Sequence, residues 1–129
     1  MAAATEAIKV QSRNNDQIET SNLTVAAGVT IYEGTLVSID ASGNAIVGVS
    51  GSRLAGIAAD TREAGESLTC RSGYTVRFLM ATAALTDMNK AAYAADNQTA
   101  TLTPGTAILG RIVDVEVGEA IWVKMTLRA

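Results

Sequence analysis

The amino-acid sequence predicts a mainly β fold: a compact β-sandwich-like or β-barrel-like body behind an extended N-terminal arm. Three observations carry this reading. From Gly28 onward, glycine-centred turn signals recur at a spacing of about 8–12 residues, the rhythm of an all-β sandwich or barrel. The runs between them alternate apolar and polar residues with period two, the mark of strands with one buried face. The core material is small or β-branched: aromatics make up 4% of the residues, while Ala, Val, Ile, Leu and Thr are abundant. Such side chains suit pleated sheets in close contact, but they bury less area per residue than Phe or Trp. Modest intrinsic stability, raised by assembly with other chains, is therefore expected. At 129 residues the chain is long enough for one domain with a core that needs neither metal nor disulfide.

Residues 1–22 read as the arm and 23–129 as the body. In the arm, Gln11-Ser12-Arg13-Asn14-Asn15-Asp16-Gln17 is polar and without period, and only Ile8 and Val10 alternate. In the body, Thr35, Val37 and Ile39 oppose Leu36, Ser38 and Asp40. Ala41-Ser42-Gly43-Asn44 then forms a hairpin turn, and Ala64-Gly65-Glu66 is a second tight connection. Tyr74, Val76, Phe78 and Met80 share one strand face. Ala83 to Ala95 is alanine-rich, which favours helix by propensity. It also runs into a β-like stretch, so the expectation is a short helical turn near Thr86–Lys90, capped by Thr86, followed by a strand. Asn97-Gln98 turns Tyr93-Ala94-Ala95 back into Thr99-Ala100-Thr101-Leu102, and Pro104-Gly105 marks another turn. Ile121, Val123, Met125 and Leu127 lie opposite Trp122, Lys124, Thr126 and Arg128.

The inventory of reactive groups is thin. The chain has no histidine, which rules out Ser-His-Asp and Cys-His nucleophiles and any His metal site. The single cysteine, Cys70, alternates with Leu68 and reads as a small buried hydrophobe with no activator at hand. Gly48-Val49-Ser50-Gly51-Ser52 lacks the final glycine of a nucleophile elbow and reads as a Gly/Ser loop. Asp40, Asp60, Asp87, Asp96 and Asp114 stand at strand ends and turns, where turn capping accounts for each. Lys124 reads as a solvent-facing residue of a half-buried strand. Trp122, on the face away from Ile121 and Val123, either covers the second side of a sandwich or sits in an interface between protomers. No enzyme activity, cofactor or metal is expected.

Ten basic and thirteen acidic residues are well mixed, so direct nucleic-acid binding through phosphates is not expected. No apolar run approaches the ~18 residues of a membrane span, and the N-terminus lacks the basic start and apolar middle of a signal peptide. A protein made and kept in a cytoplasm is the simple expectation.

The ordered set of turns carries a resemblance. Gly28-Val29-Thr30-Ile31-Tyr32-Glu33-Gly34-Thr35-Leu36-Val37 resembles the opening of the capsid decoration, or cement, proteins of tailed bacteriophages, small β-rich head proteins that include a group long catalogued as a domain of unknown function. Leu54-Ala55-Gly56-Ile57-Ala58, Ala64-Gly65-Glu66, Gly73-Tyr74-Thr75-Val76 and Ala92-Tyr93-Ala94 are similar to the segments that follow in that family. Ile108-Leu109-Gly110-Arg111-Ile112 and Ala120-Ile121-Trp122-Val123 resemble its closing hairpin. The similarity spans about residues 23 to 128. The family's usual glycine before the Ala92-Tyr93 strand is replaced by Asn89 or Lys90.

The resemblance implies a tulip-like β-body, homotrimers at the local three-fold axes of an expanded capsid, the major capsid protein as partner, and a place on the exterior of a virion assembled in a bacterial host. The two glycines at 28 and 34 would allow tight turns on each side of a short apolar strand. Ile8, Lys9, Val10, Gln11 and Arg13 would form a capsid-binding arm that adds as a strand to an exposed edge, and removing residues 1–20 would weaken binding sharply. Other expectations from the same residues are a different self-assembling virion component, such as a tail-tube or spike-base subunit, or a small ligand-binding β-barrel.

Overall fold

A computed structural model describes residues 4–48, 53–105 and 107–127. Among them are thirteen strands: β1 (Ser12–Arg13), β2 (Glu19–Thr24), β3 (Thr30–Ile31), β4 (Leu36–Ile39), β5 (Ala45–Val47), β6 (Arg53–Ala58), β7 (Arg62–Glu63), β8 (Ser67–Ser72), β9 (Thr75–Leu79), β10 (Ala91–Ala94), β11 (Ala100–Thr101), β12 (Ile108–Glu116) and β13 (Ala120–Met125). They form a six-stranded sheet in the order β1-β9-β13-β12-β10-β11, a five-stranded sheet in the order β2-β8-β6-β4-β5, and a small β3-β7 pair. The fold is mainly β and sandwich-like. Of the two forms expected, the sandwich-like one is observed: among the described residues neither sheet closes on itself by a ladder. One isolated bridge, Leu79 to Thr99, ties β9 to the residue leading into β11, and another, Val25 to Ala45, ties the end of β2 to β5.

The sheets enclose two cores. Val76, Phe78, Leu109, Ile112, Ile121, Val123 and Met125 from the six-stranded sheet meet Leu36, Leu54 and Ile57 from the five-stranded one. On the far side of the five-stranded sheet, Val37, Ala45, Ala58, Leu68 and Cys70 pack with Val25 and Ile31. The period-two reading places Tyr74, Val76, Phe78 and Met80 on one face, and all four lie in the first core. It underestimates β4, where Leu36, Val37 and Ser38 are all buried. This strand lies between the two cores, so both its faces are covered and the polar-out alternation no longer reports exposure. Cys70 shares the second core with Leu68, and burial pushes its thiol up to about 11, which leaves it protonated and unreactive at neutral pH.

The turns follow local chemistry. Asp40 accepts the amides of Ser42 and Asn44 in the β4–β5 hairpin. Asp96 accepts those of Gln98 and Thr99 in the β10–β11 turn. Between β9 and β10 the helical segment is a single 3-10 turn, Leu85–Asp87. Its cap is Ala84, whose amide donates to the Asp87 carboxylate at 3.0 Å. Thr86 does not cap it, because the cap falls two residues earlier and Thr86 lies inside the turn. Asn89 takes φ 67°, and Asn tolerates this left-handed conformation better than other residues with a Cβ. Residues 49–52, most of the Gly/Ser loop, and Arg128 lie outside the described residues. Among the described residues no helix is long and apolar enough to cross a membrane.

Candidate interaction site: the arm and its seat

The arm is not a free tail. Its described part crosses the chain's own body and is held largely by main-chain bonds. The Ala4 amide donates to Asn97 Oδ1 at 2.7 Å, and Asn97 Nδ2 donates back to the Ala4 carbonyl at 3.2 Å. Asn97 is only 2% exposed, so a buried side-chain amide here plays the part of a neighbouring strand. The Ile8 amide donates to the Glu33 carbonyl at 2.8 Å, and the Arg77 amide donates to the Gln11 carbonyl at 3.0 Å. Ser12 and Arg13 then pair with Val76 and Thr75 at the open edge of β9.

Gly34 is the saddle of this seat. It is buried, with φ +83°, and a Cβ built there would stand 2.1 Å from the Ile8 carbonyl oxygen. Only a residue without a side chain lets the arm cross so close, and the same residue supplies the left-handed turn. Its partner in the sequence pattern, Gly28, also has positive φ but has open space around it. The two glycines flank β3 as expected, yet only Gly34 touches the arm.

Beyond the seat the arm meets a charged cluster on the outer face of the six-stranded sheet. A register shift between Ile112 and Asp114 sets Asp114 directly opposite Trp122. The Arg13 guanidinium lies 3.8 Å from the centre of the Trp122 ring and donates to Asp114 Oδ2 at 2.9 Å. The Trp122 indole N–H donates to Glu116 Oε2 at 2.8 Å. Arg77 grips both oxygens of Glu116, at 2.7 and 3.1 Å.

Trp122 is thus 8% exposed and lidded by the arm. Within the single chain, Arg13 stacks on its face. Asp114 is corrected: it lies inside β12 as the arm's counter-ion, not at a turn. Lys124 is half-buried and donates to the Gly73 carbonyl and the Gln17 side chain.

The bond from Arg13 holds the Asp114 carboxyl below its ordinary value of 3.8, and the bonds from Arg77 and then Trp122 hold Glu116 below 4.5. A carboxyl depressed in the folded state stabilises it above its unfolded pKa, and that contribution fades as pH falls through the lowered value. Acidification below about pH 4 should therefore loosen Arg13 from Trp122. Emission from Trp122, the only tryptophan, reports the change; a flat emission profile between pH 6 and pH 2.5 at unchanged far-UV circular dichroism would contradict it.

The seat is incompletely filled. Clefts of about 170 and 210 Å³ flank the arm, one lined by Val10, Gln11, Val76 and Phe78, the other by Ile8, Ser12, Ile57 and Tyr74. Of the expected arm residues, Ile8 and Val10 are half-buried while Lys9, Gln11 and Arg13 remain exposed. Val10 packs against the first core. The expected boundary at residue 22 falls inside β2, which pairs from Glu19 to Thr24 with β8. The extended segment therefore ends at Arg13, followed by a hinge of Asn14 (φ 56°) and an exposed 3-10 turn, Asn15–Gln17. The chain matches no protein-family model and no curated protein.

Proposed function

We propose that the protein is a capsid decoration protein that binds the exterior of an expanded tailed-phage head, bridges neighbouring capsomers and resists the outward pressure of packaged DNA. In this reading it sits as a homotrimer at local three-fold axes, and its arm adds as a strand to an exposed edge of the major capsid protein. The observation that supports it best is the arm itself, a strand-like segment held by main-chain bonds over unfilled clefts. Main-chain pairing is transferable, because any open strand edge offers the same donors and acceptors. Pairing on the shell would replace the main-chain bonds given up at the seat, and many such arms acting together clamp a shell firmly. The order of glycine turns is consistent with this role, since the motif's second glycine is the one that seats the arm. Mild net negative charge suits an exterior position that makes no DNA contact.

The test is sedimentation with undecorated shells of the source virus. Binding to expanded shells alone, saturating at a fixed ratio, is the expected result. Failure to bind either expanded or unexpanded shells would discard the proposal.

A further inference from the structure

The seat is built for one particular segment, and nothing in its geometry requires that segment to come from the same chain. Ala4 meets Asn97, Gln11 meets Arg77 and Arg13 meets Asp114; each of these partners is far along the sequence. Arm and seat are joined only through the hinge at residues 14–17. That hinge has a non-glycine residue in the left-handed region and no buried side chain. The fully buried residues of both cores come from residue 25 onward, and of the arm only Val10 packs against them, so lifting the arm takes one half-buried side chain from the first core and leaves the rest in place. Lifting has a consequence, however. It bares the β9 edge, leaves the Asn97 amide without its Ala4 partner, and uncovers Trp122. These demands are specific: a close main-chain crossing at Gly34, a cation over the indole beside Asp114, and a main-chain donor and acceptor for the Asn97 amide.

We propose that the seat exchanges arms between copies, so that residues 4–13 of one chain occupy the seat of a second. A second copy reproduces every contact of the folded-back arm, including Arg13 on Trp122, which an unrelated strand has no reason to match. Exchange of an identical element is a low-cost route to assembly, and its balance against fold-back depends on hinge length and chain concentration. This inference concerns the protein in solution and does not rest on the capsid reading.

Two experiments test it. In the first, Asn15, Asp16 and Gln17 are deleted, which leaves the hinge too short to fold back. Analytical ultracentrifugation should then show dimers or closed rings with Trp122 still covered. A variant that stays at one-chain mass with an exposed Trp122 would overturn the proposal.

The second needs no change of hinge. Chains carrying Arg13→Cys are mixed with chains carrying Thr75→Cys, positions that face each other across β1 and β9, at high concentration and under mild oxidation. Buried Cys70 does not compete. A disulfide-linked heterodimer, in several-fold excess over a mixture of Arg13→Cys with Ala41→Cys, is expected. No excess, while the doubly substituted chain closes its own internal disulfide, would show that arms stay at home.

Discussion

Replacing Gly34 with alanine should drive the arm off its seat while the body stays folded. The added Cβ would lie 2.1 Å from the Ile8 carbonyl oxygen and 2.7 Å from Ile8 Cγ1. The side-chain atom can rotate away, but the carbonyl belongs to the main chain and moves only if the arm moves. Alanine at φ +83° adds local strain of about 1 kcal/mol, which the two cores tolerate. The expected outcome is loss of hydrogen-exchange protection at the Ile8 and Arg77 amides, with altered Trp122 emission and little change in the rest of the sheet. Protection retained at both amides would mean that the arm does not depend on the saddle. Gly28→Ala separates strain from contact. Its φ is +75° with nothing within 4 Å, so it should carry the strain and leave the arm docked.

Gly110→Ala should be the more damaging substitution for the fold. Gly110 lies in β12, paired with Met125 of β13 on one side and Ala92 of β10 on the other. Its φ is +147°, and a Cβ would meet the Lys124 carbonyl oxygen at 1.9 Å and the Thr126 amide nitrogen at 3.0 Å. Every obstacle is backbone, so relief requires parting β12 from β13, where Leu109, Ile112, Ile121 and Val123 complete the first core. A loss of about 3 kcal/mol or more is expected, seen as a fall in Tm on the order of 10 °C. Gly43→Ala, at φ +84° with nothing within 4 Å, should cost only about 1 kcal/mol. Equal losses at the two sites would contradict the steric explanation.

Much of the β-body was legible in the sequence because its information is local. Period-two runs such as Tyr74–Met80 and Ile121–Met125 declare a buried face, and the Asp40 and Asp96 turns carry their own capping chemistry. The pairing of β2 with β8 was not legible. Glu19, Thr20, Ser21 and Asn22 are all exposed, and an edge strand held by main-chain bonds leaves no hydrophobic pattern. The two-sided burial of β4 was hidden because alternation cannot report a second layer.

At the site, Ile8, Val10 and Arg13 were visible as an arm, but the seat was not. Asn97 lies 93 residues from its partner Ala4 and Asp114 lies 101 from Arg13, and the bulge that aims Asp114 at Trp122 has no sequence signature. Gly34 stood out as a turn residue, but its second role exists only once the arm is laid across it.

The central claim is that the arm is an exchangeable strand on a rigid β-body. Hydrogen exchange on the protein free and bound to expanded shells tests it most directly. On the shell, the amides of the arm should stay protected or gain protection, while the Arg77 amide, which donates to the chain's own Gln11 carbonyl when free, should lose it. Unchanged protection of the Arg77 amide in the bound state would mean that the seat keeps its arm, and the claim would fall.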